Sequence, residues 1–230
     1  MGFAESLFAA ARPHNIETHP FVIRIREGLL TREEIASFAL HIASSTASFV
    51  RALHAILSIC PNPIVRHSLI ANVLEEEGMT TYIPGQAQFD PDRHHPTMAR
   101  RFARAAGVTD EQIDSFVIGP PRWFHRALAA GNWLGPFAYI AVGTEAHTPP
   151  TFRLIAPPLR QHYGFTEGDL EFLYEHMTAD DRHGEEGARL IASVATTDEA
   201  RRQALEGARR GGSGWWQILL KHAGTRSIAA

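Results

Sequence analysis

The stretch FLYEHMTADDRHGEEGARLI, residues 172–191, decides how this 230-residue chain is read. On a helix, successive side chains turn by about 100°. That rotation puts Leu173, Gly187, Ile191 and, just beyond, Val194 on one narrow apolar stripe, and it puts His176, Asp180 and His183 on the same stripe. Two imidazoles and a carboxylate aimed at an apolar core each lose hydration worth roughly several kcal/mol unless a polar or cationic group receives them. Spacings of four and then three residues stack them on a single face, which is how a helix offers several ligands to one centre. A random chain of this composition would contain His-x3-Asp-x2-His about 0.03 times, so chance is a poor explanation.

The same rotation test extends outward. In Glu75-Glu76-Glu77 only Glu76 aligns with Val65 and Leu69, while its neighbours, like Asp181, Glu185 and Glu186, are expected to face solvent, the alternative being that one or two of them orient ligand histidines from behind. Of the pair His94-His95, His95 aligns with Phe102 and Ala106, and Pro96 suits a first helical turn. Glu145 aligns with Leu134, Ala138, Ala141 and Phe152. Pro149 and Pro150 lack the N–H groups that would meet the carbonyls of Glu145 and Ala146, which predicts a kink and freed carbonyls there. Three carboxylates and three imidazoles (Glu76, His95, Glu145, His176, Asp180, His183) arriving from four helices form a donor set for two oxygen-activating ions such as iron or manganese. His41 and Ser45, beside the Ile42 and Phe49 stripe, are candidates to line a substrate cavity, with packing as the competing reading, and Arg153 and Arg160 are candidates to receive a substrate carboxylate, with surface exposure as the competing reading.

The surrounding sequence reads as nearly all helix. Ile35, Phe38, Ile42, Phe49, Leu53, Ile56 and Leu57 recur at helical spacing after a Thr31-Arg32-Glu33-Glu34 capping box, in a segment that stops before Pro61. Further helices are predicted near 4–11, 19–28, 63–79, 95–106, 110–116, 120–131, 133–162, 167–194 and 197–221. With short links and no repeat, 1–230 reads as one all-α bundle. With 25 acidic against 22 basic side chains, the formal charge is −3 and no basic block marks a nucleic-acid surface. The single cysteine, Cys60, excludes an internal disulfide and Cys-rich metal sites and fits a reducing compartment, with the cytoplasm expected. His41, Arg51 and His54 interrupt the apolar run 38–60, so no membrane span is expected.

These residues resemble the haem-oxygenase-like di-metal oxidases and oxygenases, in the wider group that includes thiaminase II and the pyrroloquinoline quinone synthase. The similarity lies in His19-Pro20-Phe21 with Gly28, in Asn72-Val73-Leu74-Glu75-Glu76-Glu77-Gly78, and in His95-Pro96 followed by Arg101-Phe102 and Gly107. It continues in Glu145 before Pro149, in His162-Tyr163-Gly164, in His176-x3-Asp180-x2-His183 and in Trp215-Trp216. The stretch between Glu76 and His95, with Tyr82-Ile83-Pro84-Gly85 and Asp90-Pro91-Asp92, is longer than in many members.

The resemblance implies a compact bundle of about seven core helices, the same six ligands, two irons or a manganese–iron pair, and O2 as co-substrate. The implied substrate is a small amino acid or carboxylic acid undergoing desaturation, C–C or C–N cleavage, N-oxygenation or decarboxylation, in specialised metabolism. A homodimer and an external electron donor belong to the same expectation. The rival readings are a metal-free oxidase of the quinone-synthase type and a non-enzymatic helical interaction module. A thiaminase would need a pocket cysteine, and haem binding would use His14 or His19.

Overall fold

The computed structural model describes residues 2–79 and 89–224. Among these, helices are joined by turns and no strand occurs. They are α1 (Phe3–Ala11), α2 (Pro20–Arg26), α3 (Arg32–Ile59), α4 (Pro63–Glu76), α5 (His95–Ala105), α6 (Asp110–Ser115), α7 (Arg122–Ala129), α8 (Leu134–Ala138), α9 (Thr148–Tyr163), α10 (Glu171–Val194) and α11 (Asp198–His222). Thr31 and Glu34 form the predicted capping box of α3. That helix is long and apolar enough to cross a membrane, but Ile35, Phe38, Ile42, Leu53 and Ile56 spend its apolar face inside the bundle. Tyr82-Ile83-Pro84-Gly85 lie outside the described residues.

The core is in two parts. One apolar cluster gathers Phe21, Phe38, Phe102, Phe152, Leu159 and Leu173, and the other gathers Leu53, Val65, Leu69, Phe137, Ala141 and Ile191. Helices α3 and α10 contribute to both clusters, and so does the rod from Leu134 to Tyr163. On α10, Phe172 and Leu173 belong to the first cluster and Ala188 and Ile191 to the second. The polar stripe from His176 to His183 therefore occupies the seam between two dry regions.

The expected single helix over 133–162 is corrected. Residues Tyr139–Thr144 are wound as a π-helix and Glu145–His147 as a 3-10 turn before α9 begins. The irregularity lies before the prolines, because Pro149 sits at the start of α9, where a missing N–H costs nothing. The carbonyls that the prolines leave do find donors: Thr148 N–H bonds to Glu145 O, and the Arg12 guanidinium donates to Ala146 O.

Helix α11 packs on α8 and the π segment through glycines. A Cβ at Gly211 would lie 2.5 Å from Gly143 Cα, and one at Gly207 would fall inside the carbonyl oxygen of Gly135.

Two buried histidines carry a pH dependence. His19 Nδ1 accepts from Phe21 N–H at 3.0 Å, capping α2, and its Nε2 donates to Trp216 O at 3.1 Å, so the cap requires the neutral ring. Burial pushes His19 down to about 4, against the pull of the Trp216 carbonyl, and burial with the nearby Lys221 charge does the same to His222. An unfolded histidine titrates near 6.5, so the unfolded chain takes up these protons first. Their contribution is complete above pH 6.5 and is lost as pH falls towards 4. By pH 5 each should cost about 1–2 kcal/mol. The replacement His19→Asn, which can still accept from Phe21 N–H but does not titrate, should therefore shrink the fall in melting temperature of metal-free protein between pH 7 and pH 5 by roughly 2–8 °C, at 2–4 °C per kcal/mol for a chain of this size. A fall of the same size in both proteins would contradict this assignment.

Candidate metal centre

The six residues singled out in the sequence come together as two adjacent triads, Glu76/His95/His176 and Glu145/Asp180/His183, in each of which the ligand atoms lie within 4.8 Å of one another. Glu76, on the last turn of α4, is 2 % exposed, and His95, the first residue of α5, is also 2 % exposed. His95 Nδ1 lies 3.1 Å from Glu76 Oε2, and His176 Nε2 lies 4.0 Å from Glu76 Oε1. In the second triad His183 Nδ1 stands 3.8 Å from Asp180 Oδ1 and 4.0 Å from Glu145 Oε1.

Local structure fixes these positions. Gly78 has φ +69°, and a Cβ there would meet Asp90 O at 2.6 Å and His94 N at 2.7 Å. This close approach pins the returning chain against the end of α4, so that α5 opens with His95 facing Glu76. Opposite Glu145, Gly187 leaves space for Ala141, whose Cβ a side chain at 187 would strike. This lets α10 approach the rod closely enough for Asp180 and His183 to reach Glu145.

The histidine tautomers are set from behind. His176 Nδ1 donates to Phe172 O at 2.8 Å, leaving the Nε2 lone pair directed at Glu76. His183 does the reverse: Nε2 meets Glu75 Oε2 at 3.2 Å and Nδ1 faces Glu145 and Asp180. Glu75, expected at the surface, is thus a correction. It is half-buried and holds His183 as well as Arg182. Asn72 Nδ2 donates to Glu145 Oε1 at 2.9 Å. For Glu75 the orienting role was only the alternative reading, and Asn72 was missed, although it stands four residues before Glu76, one turn away on the same face.

The charges are strained in the way a cation would relieve. Burial pushes Glu145 up to about 7, with Asp180 and Glu76 adding to the effect and His183 and Asn72 opposing it. Burial alone would lower His183, yet Asp180, Glu75 and Glu145 push it up to about 11. Glu76 is held below the usual carboxylate range because His95, His176 and His183 together outweigh its burial. Among the described residues Glu76 Oε2, His95 Nδ1, Glu145 Oε2 and His183 Nδ1 make no hydrogen bond of good geometry, although the first two lie 3.1 Å apart. Orphaned donor atoms of this kind, converging without a thiolate among them, fit iron or manganese.

A cavity of about 710 Å³ opens onto the triads, with Glu76, Glu145, His176 and Asp180 in its wall. Phe49, Trp123, Tyr139, Phe152 and Trp215 supply an aromatic lining. His41 and Ser45 line it as expected, although the Ser45 hydroxyl is spent on Ile42 O at 3.0 Å. Arg153 is a correction. It lies outside the cavity, half-exposed, donating to Met177 O at 2.8 Å and paired with Asp181. Phe152, Ile155, Ala156 and Leu159 bury the inner face of α9, which turns residue 153 outward. Arg160 pairs with Glu167 at the surface, His14 packs on the Trp216 ring, and Cys60 is buried away from the cavity.

Glu75 supplies a measurable prediction. Removing a group that orients a ligand histidine typically costs 10–100-fold in metal affinity. Glu75→Ala should therefore weaken the binding of one iron about 10–100-fold and leave the other within a factor of a few. Competition with a ferrous chelator would show this as a split of the titration into two phases.

Comparison with known proteins agrees with this picture. Residues 36–216 match the model of a family described as iron-containing redox enzymes. Among curated proteins, a 4-aminobenzoate synthase of Chlamydia muridarum is 24% identical over 208 residues, covering 86% of this chain and 81% of its own. One from Nitrosomonas europaea is 22% identical over 231 residues, covering 94% and 89%. Among solved structures, a TenA homologue from Pseudomonas syringae superposes with TM-score 0.69 at 13% identity, covering 96% of this chain and 89% of that one. A domain with a haem-oxygenase-like fold from Shewanella denitrificans gives TM-score 0.63 at 14% identity, with coverage of 95% and 88%.

Proposed function

The chain belongs to the family of iron-containing redox enzymes, and from that premise we propose that it is a non-haem di-iron oxidase or oxygenase that uses O2 to oxidise an organic acid held in the cavity. The observation that carries the reading is the paired triad of buried donors, with four polar atoms that make no hydrogen bond of good geometry among the described residues, at the inner wall of an aromatic-lined cavity. Glu76, His95 and His176 would hold one iron and Glu145, Asp180 and His183 the other. Bound there, iron supplies the one-electron and O2 chemistry that amino-acid side chains lack.

The protein's own part is arrangement. Glu75 and the Phe172 carbonyl keep His183 and His176 in the tautomers whose lone pairs face inward. Asn72 holds one oxygen of Glu145 by a hydrogen bond. The aromatic wall excludes bulk water and places the substrate beside the triads. The relatives named 4-aminobenzoate synthase support a carboxylic acid as the chemical class involved. Full reduction of O2 to water takes four electrons and four protons. A substrate that loses two electrons, as in a desaturation, leaves two for an external donor, which belongs to the proposal.

The test is oxygen uptake by ferrous-loaded protein, anaerobically prepared, against a panel of aromatic and aliphatic acids with and without a reductant. At least one acid should accelerate uptake and be recovered oxidised. Uptake that no acid alters, in protein that retains no iron, would remove the proposal.

A further inference from the structure

We propose that the end of the cavity bounded by His41 and Lys221 receives the carboxylate of an elongated amphipathic acid, whose apolar body runs along the aromatic wall towards the metal ligands. This rests on the reading that the cavity holds a substrate, and it adds where the head group sits and how long the molecule is.

The first observation is charge. Apart from the triad carboxylates, the charged residues that line the cavity are Arg209, Arg210 and Lys221, all basic. Both arginines are paired with Glu206, and Arg210 also lies over the Trp123 ring at 5.0 Å. Lys221 makes no ion pair among the described residues, and it is exposed at the cavity's edge. Its charge reaches both His41 and His222.

The second observation is an unmet hydrogen bond. His41 lines the cavity at 6 % exposure, and its Nε2 has no partner among the described residues. Behind it His222 stands edge-on, ring centroids 5.3 Å apart, anchored to the Ser37 hydroxyl at 3.1 Å and with its own Nε2 likewise unpartnered among them. Leaving a buried polar atom unpaired costs about 1–3 kcal/mol. A carboxylate would recover it, since it can accept from an imidazole N–H while meeting the ammonium of Lys221.

The third observation is distance. Trp215 packs on Phe152 at 6.1 Å, and Phe152 packs on the ligand His176 at 6.4 Å. His222 lies seven residues beyond Trp215 on α11, two turns or about 10.5 Å along the axis. Ile42, Phe49 and Ile218 line the cavity as well, giving the body of the molecule apolar walls. An acid seated this way is oxidised several bonds from its carboxylate, and a single short amino acid would not span the gap.

Calorimetric titration of anaerobic ferrous protein with 6-phenylhexanoate and with its neutral amide tests this. The acid should bind at least ~10-fold tighter than the amide, a difference of about 1.4 kcal/mol. That preference should vanish in Lys221→Glu and shrink at least ~threefold in His41→Gln. 3-Phenylpropanoate, too short to reach, should bind more weakly than 6-phenylhexanoate.

Equal affinity for acid and amide overturns the inference, as does binding of neither, or an acid preference that survives both substitutions. An acid preference that disappears with the iron also overturns it, because the carboxylate would then sit on the metal. Iron measured on the same sample separates the two readings. Retained iron without acid preference sinks this inference alone, and acid preference in protein that takes up no iron sinks the metal reading alone.

Discussion

Glu76→Ala protein loaded with ferrous iron should carry about one iron per chain where the proposal gives the wild type two, and its substrate-dependent oxygen uptake should fall at least ~100-fold. Glu76 is the only carboxylate of its triad, so its loss leaves His95 and His176 alone at that position. The second triad keeps all three donors and its support from Glu75 and Asn72. The fall in activity exceeds that expected for Glu75→Ala because the ligand itself is lost. The same substitution should lower the melting temperature of the metal-free protein, since it strips the buried His95 of the carboxylate 3.1 Å away and opens a cavity. Iron by atomic emission, oxygen uptake and a melting curve on one preparation read all three. A variant that keeps two irons and full uptake would remove Glu76 from the ligand set.

Gly207→Ala should lower the melting temperature by more than about 10 °C or leave the chain unable to fold. A methyl group at this position of α11 would enter the carbonyl of Gly135, and backbone cannot swing aside as a flexible side chain can. Overpacking of ordinary cores costs about 1–3 kcal/mol, and a clash with backbone at a helix crossing should exceed that. Gly214→Ala is the internal control. It lies on the same helix, and its nearest neighbour would be the Tyr139 hydroxyl at 3.6 Å, an ordinary contact. There the better helix propensity of alanine, worth up to about 1 kcal/mol, should leave stability unchanged or raised. Equal melting temperatures for the two variants would mean that the close crossing of α11 and α8 at Gly207 and Gly135 does not hold the fold.

The helices and the donors on α4, α5 and α10 were legible because they obey rotation about a regular helix, whereas the division into two triads was not read and Glu145 lies past the π segment, where that rotation no longer holds. His176, Asp180 and His183 share a stripe with Leu173 and Ile191, and that stripe is buried except for the lightly exposed His183 and Val194. What sequence periodicity did not reveal lies where the helix departs from 100° per residue. The π segment from Tyr139 to Thr144 and the turn that follows rest on Gly143 meeting Gly211 and on the Arg12 and Thr148 donors, none of which leaves a periodic trace. Glu75 was misjudged for a related reason. It points off the stripe of its own helix, and only the neighbouring α10, bringing His183 and Arg182, makes that side an interior. Arg153 was placed by its nearness in sequence to Glu145, whereas the buried series Phe152, Ile155, Ala156 and Leu159 already turns it away. Lys221 and His41 stand on helices far apart in sequence, and only the cavity between α3 and α11 relates them.

The most direct test of the central claim is anomalous diffraction at the iron edge from crystals grown with ferrous iron. Two peaks are predicted about 3.5–4 Å apart, one bounded by Glu76, His95 and His176 and the other by Glu145, Asp180 and His183. A single peak elsewhere, or ordered water with no anomalous signal among those six side chains, would contradict it.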